Sequence, residues 1–86
     1  MRDAETAEFP SKNYPRLDPR HSWVWIRVGG QWRTAYIHKW VHEVSRNRWL
    51  CWTFVNYDRP GALPDWYIYD PETIRQRHDD EPPPSD

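Results

Sequence analysis

Apolar and polar side chains alternate with a period of two along most of the chain between residues 22 and 76. The run SWVWIRV has two sides, which hold Val24, Ile26 and Val28 on one and Trp23, Trp25 and Arg27 on the other. Successive side chains of a strand point to opposite faces, so this alternation predicts a β-strand. Its β-branched and aromatic residues favour the same structure. We expect the aliphatic side to face inward.

A tight hairpin is predicted directly after this strand. Gly29 and Gly30 separate two β-rich runs, and two-residue hairpin turns require positive φ angles, which glycine adopts easily. The second strand is predicted from about Trp32 through Val41 or Val44. Ala35 and Ile37 are its expected inward residues, so Tyr36, His38 and Trp40 are expected to face outward.

Three further strands are predicted in the second half of the chain. SRNRW has the composition of a turn, RWLCWTFVNY reads as a third strand, DRPGALP as a loop and DWYIYD as a fourth strand. Asp70 is a good N-cap, Pro71 suits a first helical position and Glu72 a first turn. These residues predict one 3₁₀ turn before Ile74 begins the last strand.

The predicted fold class is therefore all-β: a small five-stranded barrel with one 3₁₀ turn before the last strand. A short chain can hide the edges of its sheet by curling into a barrel. Three regions are predicted. Residues 1–20 hold three prolines among polar residues and are expected to be extended, residues 21–78 to fold, and the acidic, proline-rich residues 79–86 to be disordered.

Two segments resemble a known family of folds. VGGQWRTAYI resembles the first hairpin of Tudor-type SH3-like barrels, and FVNYDRPG with DWYIYDPETIR is similar to their third and fourth strands, closing turn and final strand. The resemblance covers about residues 22–76. It implies an SH3-like, Tudor-like barrel, and it carries function only as far as the family's site residues are present.

The site that this resemblance implies is an aromatic cage. Tudor-type barrels commonly bind methylated lysine or arginine between aromatic rings through cation–π attraction. Tyr57 matches a cage aromatic, and Asp58 the acidic residue that follows the third strand. A second aromatic position is occupied by Arg33, next to Trp32. A cationic ligand would meet the guanidinium groups of Arg33 and Arg59, which disfavours recognition of methyl-lysine.

Cysteine content and hydropathy indicate the cellular setting. The single cysteine, Cys51, excludes an intrachain disulfide, and its apolar neighbours indicate a buried thiol rather than a nucleophile. The longest apolar run is much shorter than the ~20 residues of a membrane span, and the first residues are acidic where a signal peptide would be apolar. We expect a soluble protein of the reducing cytoplasm, with no membrane partner.

Neither a metal site nor a catalytic site is predicted, and no cofactor. His38 and His42 could share an ion on a helix, but the same spacing on a strand separates them by about 13 Å. Asp58, Asp65 and Asp70 are explained by turns and caps. The chain has no glycine-rich phosphate loop and no activated-serine motif, so a non-enzymatic protein is predicted.

The remaining aromatic residues predict an interaction surface. Trp23, Trp25, Tyr36 and Trp40, with Arg27 among them, would share the outer face, and large exposed apolar patches usually mark interaction sites. Three occupants are open. The proline-containing segment 9–20 could cover the surface, a protein partner could bind there as an extended peptide or a second copy, or single-stranded nucleic acid could stack its bases there.

The predicted function is a non-enzymatic binding module, an adaptor or regulator of another protein. The alternative is a nucleic-acid-binding small barrel with an acidic autoinhibitory tail, because residues 21–78 carry a formal charge of +3 and residues 79–86 one of −4. The predicted binding residues are Trp23, Trp25, Arg27, Arg33, Tyr36, Trp40, Tyr57 and Asp58. Trp32, Trp52 and Trp66 are expected to be structural, and Trp49 can belong to either group.

Overall fold

The computed structural model of the chain describes residues 2–8, 16–17, 23–56, 60–78 and 82–84. The strands are β1 (Arg16–Leu17), β2 (Trp23–Val28), β3 (Gln31–Glu43), β4 (Arg48–Val55), β5 (Pro64–Ile68) and β6 (Ile74–Gln76). All of their pairings are antiparallel. The described residues include no α-helix, so the all-β prediction is confirmed, and none of their helical segments is long and apolar enough to cross a bilayer.

The five longer strands form one sheet in the order β5-β4-β3-β2-β6, and β1 pairs with β3 beside it. The last strand thus returns to lie next to β2. Within the described residues β5 and β6, at the two ends of this order, do not pair with each other, and the sheet is not closed.

The predicted hairpin between β2 and β3 is confirmed. Val28 pairs with Gln31 across a two-residue turn. Gly29 and Gly30 have φ angles of 63° and 75°, as a type I′ turn requires at both central positions. This turn fixes the register of β2 on β3 and therefore decides which side chains share a face.

The 3₁₀ turn lies in a different place from the predicted one. It spans Val44–Arg46, between β3 and β4, and Asn47 ends it in a left-handed conformation with φ of 47°. Before β6 there is instead a hydrogen-bonded turn. This turn leads directly into β6. The carbonyl of Thr73, its last residue, already accepts a hydrogen bond from the amide of Arg27 on β2 at 2.9 Å.

The predicted capping role of Asp70 in that second turn is confirmed. The Asp70 Oδ1 atom accepts a hydrogen bond from the amide of Glu72 at 2.9 Å. The Asp70 carbonyl accepts from Thr73 at 3.0 Å and from Ile74 at 2.8 Å. One aspartate thus holds the turn that delivers Ile74 to the core.

The inner core collects side chains from five strands. Its buried members are Val24, Ile26, Ala35, Ile37, Trp40, Cys51, Tyr67 and Ile74. The predicted inward positions Val24, Ile26, Ala35 and Ile37 are all fully buried, and Val28 packs partly buried against them. The inward assignments made from the period-two pattern are therefore confirmed for β2 and for the first half of β3.

A second apolar cluster lies on the opposite face of the sheet. Val41, Leu50 and Trp66 are buried there, and Ala7, Trp52 and Ile68 pack against them. Val41 pairs with Leu50, one position along from the inner pair Trp40 and Cys51, so the two pairs point to opposite faces. The part of the sheet formed by β3, β4 and β5 is consequently apolar on both faces.

A β-bulge in β3 reverses the predicted orientation of Trp40. Ile37 pairs with Thr53 and Lys39 pairs with Trp52, so His38 is an additional residue in β3. One additional residue exchanges the faces of all positions that follow it. Trp40 therefore points inward, is only 5% exposed and belongs to the core, and its prediction as an outward binding residue is wrong.

Residues 2–8 lie along the sheet and form backbone hydrogen bonds with two of its strands, β2 and β5. The amide of Ala4 donates to the carbonyl of Arg27 on β2 at 2.7 Å. On β5, the amide of Ile68 donates to the carbonyl of Glu5 at 2.9 Å. The amide of Ala7 donates to the carbonyl of Trp66, also on β5, at 2.8 Å. This segment thus connects β2 and β5 through backbone hydrogen bonds.

We expect stability to fall at alkaline pH because of Cys51. Burial raises the pKa of its thiol above the ordinary value of 9.0, so the folded chain keeps the thiol neutral where the unfolded chain ionises it. The stabilisation is complete below the ordinary pKa and is lost above it by about 1.4 kcal/mol per pH unit. The pKa of Tyr67 is also raised, by burial and then by Asp65, which adds a second loss above about pH 10.

Urea unfolding between about pH 7 and pH 10 measures this slope. Cys51→Ala is the control, since it removes the thiol while keeping Tyr67. The variant is less stable throughout, but its free energy of unfolding stays level until tyrosine ionises. An equal slope in both proteins near pH 9 would show that Cys51 does not cause it.

Candidate binding surface

Four ring side chains form a continuous row on the outer face, which is the face opposite the inner core. Trp23 on β2 pairs with Tyr36 on β3, and their ring centroids are 4.7 Å apart. Tyr36 lies 6.5 Å from His38, which lies 6.4 Å from Phe54 on β4. We call Trp23, Tyr36, His38 and Phe54 the outer aromatic row. It crosses three strands.

The outer aromatic row is accessible to solvent. Trp23 is 46% exposed and is the only aromatic residue among the exposed large hydrophobic residues of the described chain. His38 is exposed, while Tyr36 and Phe54 are half-buried. The predicted outward orientation of Trp23 and Tyr36 is confirmed. The β-bulge that turns Trp40 inward also places the His38 ring between Tyr36 and Phe54.

Arg75 on β6 and Arg77, the residue directly after β6, lie beside the row. Arg75 pairs with Trp25, and the amide of Arg77 donates to the carbonyl of Trp23 at 2.9 Å. The Arg77 guanidinium carbon lies 5.8 Å from the ring centroid of Trp23 and 5.7 Å from that of Trp25. Arg75 lies 5.2 Å from the ring of Trp32. These distances are those of cation–π contacts, which hold the rings and the guanidinium groups together.

Trp25 and Arg27 lie on the outer face as predicted, but they are not exposed. Trp25 is 9% exposed and Arg27 is 8% exposed. Arg77 lies over the Trp25 ring, and Asp3 approaches Arg27 with 3.6 Å between its Oδ1 atom and the arginine Nε atom. The prediction that these two residues form an accessible surface is wrong, because residues from both ends of the chain cover them.

The described residues of the predicted cage are not brought together. Arg33 pairs with Ile26, so it points to the inner side, where its Nε atom donates to the carbonyl of Val28 at 3.0 Å. Trp32 is its neighbour in sequence and therefore lies on the other face, against Arg75. Tyr57 and Asp58, the other two predicted cage residues, lie outside the described residues.

The other tryptophans pack mainly against the protein. Trp40 makes edge contacts with Trp49 at 6.2 Å and with Tyr69 at 5.3 Å. Trp49 is half-buried against the inner core, and His42 stacks on it at 4.7 Å, so Trp49 belongs with the structural rings. Trp66 is buried beside Trp52 at 5.2 Å, as predicted.

Acidic and metal-ligating side chains form no further site in the described part of the chain. None of its groups of three or more His, Cys, Asp and Glu residues could hold a metal ion. A small hollow is lined by Arg2, Asp3, Glu5, Ile68, Asp70 and Thr73. Arg2 forms ion pairs with Asp70 in this hollow and with Glu72 beside it.

Comparison with known proteins adds no assignment. A scan against protein-family models found no match, and neither did searches of curated proteins and of solved structures.

His38, Phe54, Arg75 and Arg77 belong to the candidate surface but are absent from the predicted set of binding residues, although His38 was expected to face outward. A signal for the two arginines exists in the sequence. Ile74 was expected in the last strand, and an inward Ile74 places Arg75 on the outer face, with Arg77 following on the same side by alternation. Phe54 could be placed only with the register of β4 on β3, which depends on the bulge at His38.

Proposed function

We propose that this chain is a small, non-enzymatic binding module of the cytoplasm, an adaptor or regulator that holds an extended segment of a partner protein on the outer aromatic row. The observation that carries the proposal is the exposed ring of Trp23, held between Tyr36 and Arg77. Trp, Tyr and Arg dominate interface energetics. Rings that are already held in place lose little conformational entropy when a partner binds.

The dimensions of the row agree with an extended peptide. Neighbouring strands lie about 4.8 Å apart, so a row across three strands is about 10 Å long. A polyproline II segment rises about 3.1 Å per residue, and three to four of its residues therefore match the row. Extended proline-containing segments bind grooves lined by aromatic side chains in several kinds of domain.

We further infer that the sheet belongs to an SH3-like, Tudor-like barrel. The order of strands supports this inference, because β6 returns to pair with β2. Residues 2–8 support it as well, since they hydrogen-bond both to β2 and to β5 and so bring the two sides of the sheet together. Recognition of methyl-lysine is not part of the proposal. Arg75 already lies over Trp32, and Arg77 lies over Trp23.

Single-stranded nucleic acid is the second candidate partner, because arginines interleaved with aromatic rings are typical of surfaces that stack bases. The ring geometry favours a peptide. Trp23 and Tyr36 are tilted by 53°, and His38 is perpendicular to Phe54 at 90°. Such a row presents ring edges beside ring faces, whereas stacking of successive bases needs open ring faces.

We expect Trp23→Ala to lower affinity for a peptide ligand by about 2 kcal/mol or more, the scale of an interface hot spot. The ligand is obtained by selecting phage-displayed random peptides on the full chain, and affinities are measured by calorimetry. Leu63→Ala is the matched control, because Leu63 is another exposed hydrophobic residue, at 82%, and lies outside the row. Equal affinities of the two variants for the selected peptide would place the binding site elsewhere.

The nucleic-acid alternative makes a different prediction for the same protein. Binding of an oligothymidine would weaken steeply with salt, because arginine contacts to phosphates release counterions. Neutralising the tail by Asp79→Asn, Asp80→Asn and Glu81→Gln would strengthen it. A peptide ligand held mainly by aromatic contacts shows a much flatter salt response.

A further inference from the structure

Several cationic side chains lie near the outer aromatic row. Register and alternation place Lys39, Arg75 and Arg77 on the outer face near the row. Among the described residues of β2, β3, β4 and β6, the acid on that face is Glu43, at the far end of β3. Glu43 is only 7% exposed, and its Oε1 atom accepts from the Nε atom of Arg48 at 2.7 Å. On the outer face of these four strands, cationic side chains therefore outnumber carboxylates.

The two arginines lie at one end of the row. Their backbone positions are two residues apart on the edge of the sheet, which is about 7 Å, and both project to the outer face. Arg75 is exposed, and its Nε atom donates to the carbonyl of Pro71 at 3.3 Å. A guanidinium has five N–H donors in a planar fork, so one such contact leaves donors for a carboxylate.

We propose that the segment held on the outer aromatic row is acidic as well as proline-containing, with its prolines on Trp23 and Tyr36 and a flanking carboxylate against Arg75 and Arg77. This inference rests on the proposed function and specifies the chemistry of its partner. The rings supply an apolar, proline-binding groove, and the arginines supply the charge that an adjacent Asp or Glu needs.

The arrangement also sets an order along the ligand. Arg77 contacts Trp23, at the β2 end of the row, while Phe54 lies at the β4 end. The carboxylate that meets the arginines therefore stands at one end of the proline stretch. A segment with acidic residues next to prolines can place its prolines on the rings and a carboxylate at the arginines. A basic proline-rich segment would instead be repelled by the positive charges of Arg75 and Arg77.

The test compares two synthetic peptides on the full chain. One contains Glu residues beside blocks of Pro-Pro-Pro, and the other has Gln in place of every Glu. We expect the acidic peptide to bind about tenfold more tightly at low salt, the effect of one charge-assisted contact, and this preference to diminish as salt is raised. The double variant Arg75→Gln/Arg77→Gln should bind both peptides equally.

Arg46→Gln is the matched control for charge, because Arg46 is an exposed cation on the turn between β3 and β4. It should keep the tenfold preference. Urea unfolding of each variant shows whether it is folded, and the single variant Arg75→Gln, which should lose part of the preference, tests the same point if the double variant does not fold.

The outcomes separate this inference from the proposed function. If the native chain binds the two peptides with equal affinity and Trp23→Ala lowers both affinities, the inference of an acidic partner is overturned. The outer aromatic row would still be the binding site. Insensitivity of both affinities to Trp23→Ala would overturn the proposed function itself. Tighter binding of oligothymidine than of either peptide would assign the surface to nucleic acid. If Asp79→Asn, Asp80→Asn and Glu81→Gln shift the Trp23 indole resonance without added peptide, the occupant is the chain's own tail rather than a partner.

Discussion

Replacement of Trp40 by alanine is expected to lower the free energy of unfolding by about 3–5 kcal/mol. Trp40 is 5% exposed and lies in the inner core, against Trp49 and Tyr69. Truncation leaves a cavity that strands held by backbone hydrogen bonds on both sides cannot fill. Denaturant unfolding at neutral pH measures the change.

Trp23→Ala is the control for this experiment, since it removes the same side chain from an exposed position. Surface substitutions usually change stability by less than about 0.5 kcal/mol, and the loss of ring contacts with Tyr36 and Arg77 adds a modest amount. A Trp40 variant as stable as the Trp23 variant would mean that the bulge at His38 is absent and that Trp40 faces outward.

Replacement of Leu50 by alanine is expected to lower the free energy of unfolding by about 2–5 kcal/mol. Leu50 is fully buried, although it lies on the face opposite the inner core, where it packs with Val41 and Trp66. A five-stranded sheet with a single apolar face would leave this position in solvent. The size of the loss therefore measures whether the sheet is covered on both faces.

Phe54→Ala is the comparison for Leu50. Phe54 lies four residues further along β4 and on the same outer face, but it is half-buried at the end of the outer aromatic row. Phe54→Ala should lower the free energy of unfolding by less than Leu50→Ala does, although phenylalanine has the larger side chain. It should also weaken peptide binding. If Leu50→Ala were tolerated within about 0.5 kcal/mol, the second cluster would not be part of the folded structure.

The strands and their inward residues in β2 were predictable because local rules suffice there. Alternation assigns Val24 and Ile26 to one face, and two glycines with positive φ determine the turn and therefore the register of the hairpin. Asp70 was predictable as a cap for the same reason, since its partners are the next few residues.

The β-bulge at His38 was not predictable from periodicity. Residues 35 to 41 read AYIHKWV. This sequence is compatible with Trp40 on the face opposite Ile37, as in a regular strand, or on the same face as Ile37, as in a strand with a bulge. Pairing with β4 decides between the two, because Thr53 and Trp52 are opposite Ile37 and Lys39. Pairing between residues distant in sequence thus decides which face Trp40 occupies and excludes it from the candidate binding surface.

The burial of Trp25 and Arg27 was also beyond local rules. Their outward orientation followed from alternation, but their covering depends on Arg77 and on Asp3, which come from the two ends of the chain. Residues 2–8 carry no β-strand pattern, and they are held against the sheet by backbone hydrogen bonds and by two small side chains, Ala4 and Ala7, that pack on the two clusters. The accessible surface is consequently narrower than the predicted one and is shifted toward His38 and Phe54.

The most direct test of the outer aromatic row as a binding site is a titration of ¹⁵N-labelled full chain with the phage-selected peptide, followed by NMR. The seven tryptophans give indole N–H resonances that report on both faces of the sheet at once. We expect that the Trp23 resonance shifts most and saturates with the same affinity that calorimetry gives, while the resonances of Trp40 and Trp66 stay in place. A stationary Trp23 resonance, with the largest shift at another tryptophan, would contradict this expectation.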